Sequence, residues 1–156
     1  MPRPRLYSVP DDPHTPYPVD MARVRGSLYE IGYEPGEASF TETRGEAVIG
    51  GRPYVFSFFS GGDYLSVRTA WNPPPSTSIP HLFATANSWN RTRFFPTVYV
   101  DGDDGDNVEV VADMVSHCRY GLSPAQLKDE VENAVSTCGE AIGYVQWTLD
   151  KAQLGQ

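Results

Sequence analysis

The sequence predicts an α+β domain: an antiparallel five-stranded sheet packed by helices, in the order helix, three strands, helix, two strands, helix. Two observations carry this reading. Apolar residues recur at helical spacing near both ends of the chain, and runs of period-two alternation, separated by glycine-rich turns, fill the middle. A third, the proline and glycine punctuation, marks where each element stops.

The first helix is expected from Val19 to Tyr33. Met21, Val24, Leu28 and Ile31 fall on one face, and Pro18 can open a helix because its missing N–H would be unpaired there anyway. Gly32, Pro35 and Gly36 close it. Three strands follow: Glu46 to Ile49, ended by Gly50-Gly51; Arg52 to Phe59, with Tyr54, Phe56 and Phe58 on one face; and Tyr64 to Trp71, with Leu65, Val67, Thr69 and Trp71 on one face. Asn72-Pro73-Pro74-Pro75 breaks the sheet. A second helix is expected from about Pro80 to Arg91, with Ser78 at its start. Two further strands, Phe95 to Val100 and Val108 to Val115, flank an Asp/Gly-rich turn. The last helix has the clearest signal. Ser123 is its N-cap, Pro124 its first residue and Gln126 the reciprocal partner of a capping box. Its stripe of Leu127, Val131, Val135, Cys138, Ile142, Val145 and Leu149 implies about 28 residues of helix, roughly 42 Å long.

The length of 156 residues suits one domain. Residues 1–18 hold six prolines and are expected to form an extended, proline-rich arm, leaving 19–152 as the folded unit. The net charge of −8 argues against a nucleic-acid surface and against docking on anionic membranes, both of which need clustered Lys and Arg. No run reaches the ~18 apolar residues of a membrane-spanning helix, and no signal peptide is visible. Two cysteines make no disulfide framework. A cytoplasmic protein with reduced thiols is expected.

The order of elements is similar to the fold of type III secretion chaperones. The residues resemble the YbjN family, bacterial proteins described as sensory transduction regulators, in its actinobacterial branch. The resemblance rests on Leu28 to Tyr33, on Asn87-Ser88-Trp89-Asn90, on the strand and acidic turn from Thr97 to Asn107, and on Gly121-Leu122-Ser123. Trp89-Asn90-Arg91 running into Phe95-Pro96 points to the branch. It implies a protein of regulatory or chaperone-like kind that binds a protein partner or client, is commonly dimeric, and has neither catalytic residues nor a cofactor.

The residues themselves carry no complete catalytic, metal or phosphate motif. His117 and Cys118 are adjacent, the starting point for a small enzyme with a Cys–His site; on a continuing strand their side chains point to opposite faces. Asp101, Asp103, Asp104 and Asp106 could make a Ca²⁺-responsive module. Counting from Asp101, however, Gly105 stands where a calcium loop needs a ligand and Asp106 where it needs glycine, and a hairpin loop accounts for the composition. Trp89, Arg91, Arg93, Phe94 and Phe95 interleave bases with aromatics as single-strand binders do, but core aromatics beside a solvated Arg pair explain them better. Asn87 and Asn90 lie one turn apart and either present amides to a peptide or bond the neighbouring strand. Trp147 falls nearly opposite the apolar stripe, so its indole should face outward, with Tyr144 also off the stripe. Tyr64, Arg68, Asn87, Trp89 and Trp147 are the expected protein-contact residues.

Overall fold

A computed structural model describes residues 12–33, 38–102 and 107–154. The elements are α1 (Met21–Ile31), β1 (Ala38–Phe40), β2 (Arg44–Ile49), β3 (Arg52–Phe59), β4 (Tyr64–Trp71), α2 (Ile79–Thr92), β5 (Thr97–Asp101), β6 (Glu109–His117) and α3 (Pro124–Leu154). The six strands form one antiparallel sheet in the order β1-β2-β3-β4-β6-β5. The architecture is α+β as the sequence implies, with six strands in place of five. The extra strand is β1, whose three residues are too few to show a period of two. Phe40 on β1 lies over Gly45 of β2, where an added Cβ would overlap the ring, so the missing side chain makes the seat for the aromatic.

Cross-strand pairing and alternation divide the sheet into two faces. Tyr54 and Phe56 of β3, Leu65, Val67 and Thr69 of β4, and Val110, Ala112 and Met114 of β6 are all buried on one of them. α3 lies across that face. Tyr54 Oη donates to Val135 O at 2.9 Å, and Ser116 Oγ donates to Glu130 Oε2 at 2.7 Å. Gly139 leaves room for this, since a Cβ there would stand 2.9 Å from Tyr54 Oη. Every residue of the expected α3 stripe, from Leu127 to Leu149, is buried. Burial pushes the Cys138 thiol and the Tyr54 phenol up to about 12.

The helix ends follow side-chain chemistry. Asp20, rather than Pro18, caps α1, its Oδ1 accepting from Arg23 N at 2.7 Å. The helix closes at Gly32, whose φ of +94° favours glycine, with Tyr33 N donating to Leu28 O. At α3 the capping box is complete: Gln126 N donates to Ser123 Oγ at 3.1 Å, and Ser123 N donates to Gln126 Oε1 at 2.9 Å.

Of the proline-rich arm, residues 1–11 lie outside the described residues, and 12–18 lie against the domain. Tyr17 and Leu122 exchange backbone hydrogen bonds at 3.1 and 2.9 Å, and Ala125 N donates to Pro13 O. Gly121, at φ +82°, permits this approach, because a Cβ there would stand 2.6 Å from Tyr17 O. Arg23 is 6% exposed, and its guanidinium donates to the carbonyls of Tyr17, Pro18 and Leu122. A buried charge needs such partners, and here it ties the arm, α1 and the loop before α3 together.

Candidate functional site

The second face of the sheet carries no described helix. The residues that alternate with the core define it: Val55, Ser57 and Phe59 on β3; Tyr64, Ser66, Arg68 and Ala70 on β4; Val111, Asp113, Val115 and His117 on β6; Thr97, Tyr99 and Asp101 on β5. The pairing places Phe59 opposite Tyr64 and Tyr64 opposite His117. One end of the face is therefore an aromatic row. Phe59 and Tyr64 stack with centroids 5.5 Å apart, Tyr64 meets His117 edge-on at 5.2 Å, and His117 meets Tyr120 at 6.0 Å. Phe59 is 41% exposed, Val115 47% and Tyr120 80%. Such a contiguous aromatic and aliphatic strip on a sheet is the kind of surface that partners cover.

The middle of the face is polar. Ser66 is fully buried and its Oγ donates to Asp113 Oδ1 at 2.6 Å, while Arg68 Nη2 donates to the same hydroxyl at 3.4 Å. Arg68 stands directly across the ladder from Asp113, yet its buried Nε has no hydrogen-bond partner. Next to them the Tyr99 phenol is held above its ordinary value, chiefly by burial, with Arg68 pulling it down and Asp113, Asp101 and Glu109 pushing it up. The arrangement offers hydrogen-bonding and charged groups beside aromatic area, which suits contact with another polypeptide.

The expected contact residues divide. Tyr64 and Arg68 come together on this open face. Asn87 is exposed on α2, away from it. Trp147 does face outward on α3, 60% exposed with Lys151 Nζ 4.9 Å from its ring centroid. Trp89 is a core residue, 2% exposed: its Nε1 donates to Pro96 O at 3.0 Å and its ring packs on Tyr144, 5.4 Å away, with Arg93 on it at 5.1 Å. Tyr144 also turns inward, sharing a hydrogen bond with Ser88 at 2.9 Å. Asn90 takes the structural option, its amide donating to Val98 O and accepting from Val98 N at 2.7 and 2.9 Å. It acts as a strand substitute along the outer edge of β5. Phe59, Ser66, Tyr99, Asp113 and Tyr120 escaped the sequence reading, which followed the apolar alternation. The signal for them was the other half of that alternation.

The alternative chemistries fare as follows. His117 is exposed in the aromatic row, whereas Cys118 is buried with its Sγ 3.4 Å from Gly62 O and its pKa raised, chiefly by burial. The two side chains form no dyad. Of the acidic turn, Asp101 is exposed and residues 103–106 lie outside the described residues. Among the described residues no three His, Cys, Asp or Glu side chains are grouped to hold a metal, and no helix is long and apolar enough to cross a membrane.

An α+β domain with its helices on one side of an antiparallel sheet, in this order, has a fold similar to that of type III secretion chaperones. The chain belongs to the YbjN family: the family described as "YbjN: Putative bacterial sensory transduction regulator" matches residues 20–147. The crystal structure of YbjN from E. coli is similar with a TM-score of 0.67 at 15% identity, over 89% of this chain and 97% of that one. A chain of the HopA1–SchA chaperone–effector complex gives 0.52 at 18% identity, over 83% and 99%. The Yersinia pestis type III secretion chaperone SycH, in complex with a fragment of YscM2, gives 0.47 at 13% identity, over 80% and 98%. No curated protein matches the sequence.

Proposed function

We propose that this domain is a non-enzymatic regulatory or chaperone-like module that holds a segment of a partner or client protein on the open face of its sheet. The observation that carries the reading is that face itself: the Phe59–Tyr64–His117–Tyr120 row adjoins the Ser66–Arg68–Asp113 network, and no described helix covers either. The fold it shares with a chain of a chaperone–effector complex supports a protein as the occupant. Tyr64 and Arg68 are the contact residues of this reading. A photo-crosslinking amino acid at Val115, with a second at the exposed Ala84 of α2 as control, tests it in the cells that make the protein. Protein adducts at Val115 and none at Ala84 are expected; no adduct at Val115 contradicts the reading.

A second reading concerns the outer side of α3. The exposed Trp147 indole favours a homodimer through that helix. Light scattering tests it: a dimer that Trp147→Ala dissociates is the expected result, and a monomer at high micromolar concentration removes it.

A further inference from the structure

The open face differs in charge from one end to the other, and that difference names the chemistry of its occupant. At the end opposite the aromatic row, Asp101 of β5 stands directly across the ladder from Glu109 of β6. Like charges in register on one face disfavour the pairing, and among the described residues neither carboxylate is in an ion pair. Asp113, on the same face, stands across the ladder from Arg68 and accepts from Ser66 Oγ, to which Arg68 Nη2 also donates. Glu109 and His117 are eight residues apart on β6, roughly 27 Å at about 3.4 Å per residue. The whole chain carries −8. Among the described residues the face thus presents an acidic end whose Asp101 and Glu109 make no ion pair, and an aromatic end, and aromatic faces also attract cations.

We infer that the occupant is a cationic segment of another protein, lying extended along β4 and β6. It carries Lys or Arg where it meets Asp101 and Glu109, and an aromatic or aliphatic residue about eight positions away on Tyr64 and Phe59. The even spacing follows from strand geometry, since only residues separated by an even number point to the same side. The inference rests on the proposed function and adds the partner's chemistry to it.

Two fluorescein-labelled ten-residue peptides test this. Both share an alternating Thr/Val sequence with tryptophan at position nine, and they differ in having two arginines or two glutamates at positions one and three, on the same side as the tryptophan. Anisotropy with the full chain should show the arginine peptide binding at least tenfold tighter. That preference should shrink in 0.3 M NaCl and largely vanish in D101N/E109Q, whose melting temperature should equal or exceed the parent's because the repulsion is gone. Equal binding of both peptides, or a preference that D101N/E109Q leaves intact, overturns the inference. If neither peptide binds while Val115 still crosslinks to a protein, the cationic chemistry falls and the open-face reading stands; if Val115 also gives no adduct, both fall. Tighter peptide binding in R3Q/R5Q would make the chain's own basic residues the occupant, and a dimer dissolved by the arginine peptide would make it a second copy. Either result overturns a cationic partner.

Discussion

The two faces of the sheet share strands and backbone, but their side chains follow different rules. Under α3, Phe56, Leu65, Val67, Val110 and Ala112 are almost wholly excluded from solvent, and the polar atoms among them have found partners, as Tyr54 has at Val135 and Thr69 at Pro53. On the open face, one residue further along each strand, aromatic rings stay exposed and like charges stand opposite one another. The covered face is arranged for stability. The open face keeps exposed rings and like charges in register, features that the proposed recognition role would use.

Substitutions on the two faces should therefore separate by size. Phe56→Ala, under the helices, should cost about 3–5 kcal/mol in urea unfolding through lost burial and a cavity. A high-pH limit comes from the same face. Cys138 and Tyr54 have folded-state pKa values raised to about 12 from 9.0 and 10.0. Their contribution is complete below about pH 9 and is lost as pH rises toward about 12, so the urea midpoint should fall over that window. Cys138→Ala should flatten its lower part; a midpoint independent of pH would contradict the assigned burial. Tyr54→Phe should cost about 1–2 kcal/mol for the lost hydrogen bond to Val135 O. On the open face, Ser66→Ala should cost about 1 kcal/mol by unlinking Asp113 from Arg68. Val115→Ser should stay within about 0.5 kcal/mol. A Val115 effect as large as that of Phe56 would mean that the two faces are not distinct.

Much of the covered face was legible in the sequence because burial imposes a period. The α3 stripe, the Ser123–Gln126 capping box and the inward alternation of β3, β4 and β6 all follow from apolar spacing or local capping chemistry, and both act within a few residues. The resemblance also had structural causes, most of which the chain reveals only when folded. Gly32 ends α1, Trp89 and Asn90 stitch α2 to β5, and Gly121 lets Tyr17 approach Leu122. What stayed hidden depended on contacts distant in sequence. The burial of Trp89 requires Pro96 and Tyr144, and the clamp made by Arg23 requires Leu122, 99 residues away. Three residues of β1 gave no period to read. The open face was half legible: Tyr64 and Arg68 could be chosen from one strand, but the row with Phe59, His117 and Tyr120 exists only once three strands are in register.

The most direct test of the open face as the recognition surface is hydroxyl-radical footprinting of the chain, alone and with the protein it crosslinks to through Val115. The account predicts that Phe59, Tyr64 and Tyr120 become protected while Trp147 and Phe94 keep their reactivity. Protection of Trp147 or Phe94 with the open face unchanged would contradict it.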